Sequence, residues 1–444
     1  MNAGLAPYRD RLERLASGGV VEAHLDAWAA ERTGAPAGPW RPVHVRLRPQ
    51  RSPWAVLVYE SDGGPTVQVR LLEGREGIEI IACEADPALP GLPVVLARLE
   101  APRVVRYRPG NRCTVQGGTT SGVRFVKVLS DAVDDQADAR ARWEAAASGA
   151  LSFAVAEPCG WDAPTRASWY GVVPGGPLLP FLSDLAGAEM ARQVGRALGE
   201  LAVAPLRPAR AEGAADQLAR TRRGLARAAA VAPTLADGLL QAEEALTRAH
   251  ERLGARPLVP VHGAAHLGQW LVDGTGRLGL VDFDRYALGD PEFDLATFCV
   301  ELRAESSSLR LPVDDLEAAV IEGFREVGGE PDEGRLAVYA LHKQLARVAR
   351  SASALRPDAE ERAARRLHRL REPLAGLAGV RECHLGTAVT RTKRLDEERG
   401  MTTTPNHPSA DDGNGDSDVP GAEIGISEGE GSSFEPEEDP EPEA

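Results

Sequence analysis

A chain of 444 residues, 43 % of them apolar, has room for two or three structural units at about 150 residues each. It holds no apolar run near the roughly 20 residues that cross a bilayer, which argues against a membrane role. Thirteen acidic residues and no Lys or Arg lie between Asp411 and Ala444; removing them from the net charge of −15 leaves −2 on residues 1–410, too little positive field for a nucleic-acid binder.

The first expected element is a helix over residues 7–33, with Leu12, Leu15, Val20, Val21, Leu25 and Trp28 on one face and a break at Gly18-Gly19. Alternating segments follow at 43–49, 54–60 and 66–72, the last two joined through Ser61-Asp62-Gly63-Gly64 as a hairpin. Three more antiparallel strands are expected from Arg103: RVVRY, then RCTVQ after the turn Arg108-Pro109-Gly110-Asn111, then VRFVKVL at 123–129. Residues 134–150 read as a helix, and Cys159 through Val173 as one more hairpin.

Beyond Pro174-Gly175-Gly176 the pattern turns helical. Met190, Val194, Leu198 and Leu201 share a face at about 187–203, further helices run through 213–253, and Val338, Leu341, Leu345 and Val348 repeat at helical spacing. Only 258–286 interrupts this with short apolar strands. Past Gly400 the composition of Thr, Pro, Gly, Ser and acids cannot bury enough surface to repay ordering, so disorder is expected there. The cysteines (Cys83, Cys113, Cys159, Cys299, Cys383) are odd in number and scattered, which supports neither a disulfide framework nor a zinc site. With a charged N-terminus in place of an export signal, a cytoplasmic setting is expected.

Three segments carry the chemistry. Val261-His262-Gly263-Ala264-Ala265-His266-Leu267-Gly268-Gln269 is followed by Val281-Asp282-Phe283-Asp284, and then by Gly289-Asp290-Pro291-Glu292-Phe293-Asp294-Leu295-Ala296. In residue type and spacing they resemble the catalytic and metal-binding loops of the aminoglycoside/choline kinase superfamily, and the resemblance covers about residues 85–380. It implies an α+β, two-lobed protein-kinase-like fold with a β-rich N-lobe and a helical C-lobe. The divisions it implies are an N-terminal α/β extension (1–84), an N-lobe (85–175), a C-lobe (176–385, catalytic-loop region 258–296), and a linker with a disordered acidic tail (386–444).

Phosphoryl transfer leaves the protein to hold Mg²⁺ against the phosphates and to align an acceptor hydroxyl. By resemblance Asp282 is the metal-binding carboxylate, and Gln269 stands where most members have an Asn ligand; H-L-G-Q resembles the maltokinase-like branch. Magnesium takes hard oxygen ligands, which both side chains offer. Lys127 matches the lysine that pairs with nucleotide phosphates, with Glu144 its expected partner over Asp134, Asp135 and Asp138. Arg112, at the Pro109-Gly110-Asn111-Arg112 turn, stands where a phosphate-covering loop would be. His262 and Asp294 match residues that anchor the catalytic loop.

Ala264 occupies the position of the catalytic base. A methyl group neither orients the acceptor nor takes its proton, and loss of a positioned base costs about 10²–10⁴-fold. His266 and Asp284 are the nearby substitutes, each also readable as structural. Gly117-x-x-x-x-Gly122 is a turn, since Val123 stands where a phosphate loop needs Lys. Arg362, Arg365, Arg366, Arg369 and Arg371 are offset by Asp358, Glu360, Glu361 and Glu372 and read as a solvated helical face. Two readings follow. One is a degenerate phosphotransferase that binds ATP or GTP with Mg and acts as a regulatory or interaction module, with a protein partner for the acidic tail as a lesser option to simple solubilisation. The other is a rewired kinase of a small hydroxylated metabolite, sugar or aminoglycoside-like acceptor.

Overall fold

The computed structural model describes residues 19–34, 38–48, 52–72, 77–183, 186–309, 312–354 and 358–379. The front of the helix expected over 7–33, the linker and acidic tail over 386–444, and Cys383 lie outside these residues. Gly19, at φ 92°, caps the first described helix, α1 (Val20–Thr33), and its N–H donates to the Glu22 carboxylate at 3.0 Å. The expected break therefore falls where only glycine enters a helix without strain.

Four strands follow as an antiparallel meander: β1 (Trp40–Leu47), β2 (Ala55–Ser61), β3 (Thr66–Leu71) and β4 (Ile78–Ala82). The fourth was not expected; Ile78, Ile80 and Ile81 give a strand too short to declare its period. β2 is buried on both faces. Leu57 and Tyr59 join Leu25 of α1 in one apolar cluster, while Val58 joins Leu89 and Leu92 in another. This sheet is thus a layer packed between α1 and the strands that come next.

Those strands form a five-stranded antiparallel sheet. After α2 (Leu92–Arg98) come β5 (Glu100–Arg108), β6 (Arg112–Thr119) and β7 (Gly122–Leu129). Helix α3 (Gln136–Ala147) then precedes β8 (Pro158–Asp162) and β9 (Ala167–Tyr170), in the order β5-β6-β7-β9-β8. Val126 and Val128 point into the core, so the alternation of a strand turns Lys127 to the opposite face.

The helical half opens with β10 (Gly176–Pro177), α4 (Gly187–Val203), β11 (Ala211–Glu212), α5 (Ala214–Val231) and α6 (Ala236–Leu253). The interruption comprises β12 (Val259–Val261), β13 (Trp270–Val272), β14 (Leu278–Leu280) and β15 (Ala287–Gly289). Helices α7 (Glu292–Leu309), α8 (Val313–Glu326), α9 (Glu333–Ala352), α10 (Ala359–Arg369) and α11 (Arg371–Gly379) complete the described chain. A β-rich half followed by a helical half is the two-lobed α+β arrangement expected. Trp270, fully buried, packs edge-on to Phe153 and Phe298, each 6.3 Å away, and so fixes the β13–β14 hairpin between the lobes. Among the described residues no helix is long and apolar enough to cross a membrane.

Helices α4 and α8 touch through backbone. A Cβ on Gly195 would lie 1.8 Å from the Val320 carbonyl oxygen, and one on Gly323 would lie 1.9 Å from that of Arg192. Gly195→Ala is therefore expected to destabilise the fold by about 1–3 kcal/mol or more, as overpacking does. Gly224→Ala, in α5 with open space around its Cβ, should instead stabilise by about 0.5–1 kcal/mol. Urea unfolding of the two variants checks the pair.

Candidate functional site

Four charges meet where the lobes face each other. Lys127 lies inside the five-stranded sheet, opposite Thr114 of β6 and Ser168 of β9. Its Nζ donates to Asp282 Oδ1 at 2.8 Å and also to Asp284 Oδ1. Arg112, buried at the start of β6, forms an ion pair with the other oxygen of Asp284. Burial by itself raises the Asp282 carboxyl, but Lys127, then Arg112 and Arg106, outweigh it and hold Asp282 well below the usual carboxylate range.

The turn that delivers Arg112 is pinned from behind. Asp86 Oδ2 accepts from the Gly110 N–H at 2.8 Å and from the Tyr107 hydroxyl at 2.7 Å, and Gly110 sits at φ 77°. On the other lobe Asp282 is one of three non-glycine residues with positive φ among those described (φ 63°, ψ 60°). Such backbone costs on the order of 1 kcal/mol and persists where the surroundings over-determine it. Here Val281 on its N-terminal side is held at both ends: its N–H donates to the Gln269 carbonyl at 3.1 Å, and its carbonyl accepts from His262 Nε2 at 3.0 Å.

His262 is completely buried, and burial pushes its imidazole down to about 3, so it stays neutral as a Nε2–H donor. Asp294, near the start of α7, accepts from the backbone N–H groups of His262 (2.7 Å), Gly263 (3.2 Å) and Ala265 (3.2 Å). Burial raises its carboxyl, and the three amides work in the opposite direction. Gly263 is required: φ is 81°, and a Cβ would lie 2.2 Å from the Arg285 carbonyl oxygen.

Into this rigid loop Ala264 presents a buried methyl group, 3 % exposed. His266 is buried too, with Nδ1 4.0 Å from Glu301, whose carboxylate also accepts from the Leu267 N–H at 3.0 Å. Asp284 is engaged by Arg112 and Lys127. Gln269 is 3 % exposed, and its Oε1 is buried without a hydrogen-bond partner. Such an orphaned amide oxygen is costly unless something fills it. Gln269 and Asp282 stand at the same open end of the β13–β14 hairpin, where Trp270 pairs with Leu280. Their hard oxygens fit Mg²⁺. Among the described residues no three His, Cys, Asp or Glu side chains cluster to hold a metal alone, so phosphate and water oxygens would have to complete the shell.

Glu144 corrects an expectation. It lies exposed on α3, and Lys127 is paired with Asp282 and Asp284 instead. The residue that ties α3 to the Asp282–Tyr286 segment is Arg142, two positions earlier. It is 5 % exposed, and its guanidinium lies 4.4 Å from the Phe283 ring and 4.3 Å from the Tyr286 ring. The sequence of α3 gives little sign of this, because Ala and Arg dominate both faces.

The model of the phosphotransferase enzyme family matches residues 110–335, which is 226 of the 444 residues. Similar solved structures include a choline/ethanolamine kinase family protein from Mesorhizobium loti, at 18 % identity over 66 % of this chain and 98 % of that one, with a TM-score of 0.42. A macrolide 2′-phosphotransferase apoenzyme from Brachybacterium faecium is similar at 18 % identity over 63 % and 98 %, with a TM-score of 0.40. A spectinomycin phosphotransferase in complex with ADP and spectinomycin is similar at 12 % identity over 63 % and 94 %, with a TM-score of 0.44. No curated protein matches the chain.

Burial lowers His262, and also His44, to about 3, below the 6.5 of an unfolded histidine. The unfolded chain then binds the extra protons, so stability is full above pH 6.5 and falls as pH drops toward 3. Each such histidine costs about 2 kcal/mol at pH 5. Urea unfolding between pH 7 and 5 should show this loss. His262→Gln, which keeps a donor for Val281, should have a shallower slope.

Proposed function

The chain belongs to the phosphotransferase enzyme family, and from that premise we propose that it is a degenerate member. On this reading it binds ATP or GTP with Mg²⁺ and acts as a nucleotide-binding regulatory module, without efficient phosphoryl transfer. The observation that carries it is the methyl group of Ala264 in a loop held at three backbone amides by Asp294. That backbone is too constrained to bring a neighbouring side chain to the position of the base.

Nucleotide binding is supported by what the cleft retains. Lys127 and Arg112 are cations suited to phosphate oxygens, Asp282 and Gln269 to the metal that neutralises them. When bound, the metal supplies charge neutralisation of the phosphates. Without ligand the cations and carboxylates answer one another, so nucleotide phosphates would take Lys127 and Arg112 from Asp282 and Asp284 and leave both carboxylates facing the metal. Glu144, exposed on α3, has no part in this reading. The helical half holds the place of a small-molecule acceptor.

Calorimetric titration with ATP and Mg²⁺, repeated with GTP, tests the proposal. Binding is expected, weakened at least about tenfold by Lys127→Ala and by Asp282→Ala, in keeping with roughly 1.5–3 kcal/mol for charged hydrogen bonds. No heat at millimolar nucleotide would sink the nucleotide reading. Turnover on sugars, amino alcohols or aminoglycosides above the Lys127→Ala background would instead establish a rewired kinase. Ala264→Asp is expected to raise any residual turnover by one to three orders of magnitude, since it restores a positioned base.

A further inference from the structure

Helix α10 packs on α9 through Ala363 and Leu367, which share an apolar cluster with Leu345, Val348 and Ala349. Helical spacing then sets arginines beside that seam. Arg362, Arg366 and Arg369 fall on one face of α10, and Arg347 and Arg350 stand one turn apart on α9. Residues 347–372 hold eight Arg and four Asp or Glu, a net +4 (8 minus 4), on a chain whose first 410 residues carry −2.

The carboxylates expected to offset these arginines reach only some of them. Glu361 pairs with Arg365, Asp358 lies 3.9 Å from Arg362, and Glu360 accepts from the Thr234 hydroxyl. Among the described residues no carboxylate forms an ion pair with Arg347, Arg350, Arg366 or Arg369. Arg350 is half-buried, and its Nη1 is buried without a hydrogen-bond partner. Burial, then Arg362, Arg350 and Arg369, lower the half-buried Arg366. Burial, then Arg350 and Arg366, lower Arg347, with Glu301 and Glu305 of α7 acting against them. These guanidiniums repel one another, and like charges partly out of water without a counter-ion are costly.

We propose that this arginine face is the docking surface for the acidic segment Asp411–Ala444 of the same chain. The two are complementary: thirteen carboxylates with no Lys or Arg on one side, and guanidiniums without carboxylate partners on the other. The planar fork of arginine takes a carboxylate bidentately, so a run such as Glu437-Glu438-Asp439 can answer several guanidiniums at once. Chain connection agrees with this. Helix α11 follows α10 directly and ends at Gly379. Residues 380–410, extended, reach up to about 100 Å, several times the length of α10. Tethering also raises the local concentration of the acidic segment to about millimolar, which lets weak ionic contacts hold. The inference goes beyond nucleotide binding and stands whether or not that reading survives.

The test compares the full chain with a full-length variant whose thirteen carboxylates from Asp411 onward are replaced by amides. Phenylglyoxal modification, followed arginine by arginine by mass spectrometry, should be about fivefold slower at Arg366 and Arg369 in the native chain at low salt. The difference should vanish at about 1 M salt, where the screening length is about 3 Å. Arg366→Glu combined with Arg369→Glu should speed clipping within the acidic segment by a Glu-specific protease about fivefold. Arg41→Glu combined with Arg98→Glu, the same change of charge on exposed arginines of the N-terminal half, should leave clipping as it is. Circular dichroism and melting temperature confirm that each variant is folded. Equal modification of the native chain and the amide variant, or equal release by both pairs of charge reversals, would overturn the inference. So would protection that disappears on dilution, the mark of a second copy supplying the acidic segment.

Discussion

Lys127 and Arg112 reach out of the β-sheet, Asp282 and Asp284 out of the helical half, and the contact of these four charges joins the two lobes at the cleft. Two cations and two carboxylates out of bulk water are tolerable only together, since removing one leaves another buried and uncompensated. Much of the surrounding structure serves to aim them. Asp86 fixes the turn before Arg112, the β-sheet alternation turns Lys127 into the cleft, and the grip on Val281 precedes the left-handed backbone of Asp282. On the proposed reading the same set of charges would receive a nucleotide with its metal, phosphates replacing the carboxylates and the metal replacing the cations.

The backbone of the loop that carries Ala264 is firmly held. Asp294 and His262 still hold it through buried hydrogen bonds, and Gly263 still makes its close approach to Arg285. Keeping a buried carboxylate satisfied by three amides has a structural return even without chemistry, because the loop seats Trp270 and the hairpin between the lobes. The frame is therefore kept by contacts that do not involve the side chain at position 264. Loss of Asp294 would strand three buried donors, whereas a change at position 264 alters one side chain.

Arg142 shows how an expected link can be replaced by another of the same purpose. Helix α3 is bound to the Asp282–Tyr286 segment through a guanidinium against the Phe283 and Tyr286 rings, and Glu144 is left to solvent. An arginine between two rings needs no counter-charge at the contact itself, so the carboxylates of the cleft remain directed at Lys127 and Arg112. The helix thus follows the loop by packing and cation–π attraction rather than by an ion pair.

The sequence by itself determined the order of elements and the loops that carry chemistry. Strand alternation placed the β5–β7 strands, helical spacing placed α4 and α9, and the spacing of His262, Ala264, Gln269, Asp282 and Asp294 marked the cleft, because these depend on local periodicity and fixed intervals along the chain. Tertiary structure alone decided the partners. That Lys127 meets Asp282 across 155 positions, that Arg142 rather than Glu144 faces the loop, and that β4 joins the first sheet all depend on how distant segments pack. Local pattern states which face of an element is apolar; it does not state which charge another segment will bring to it.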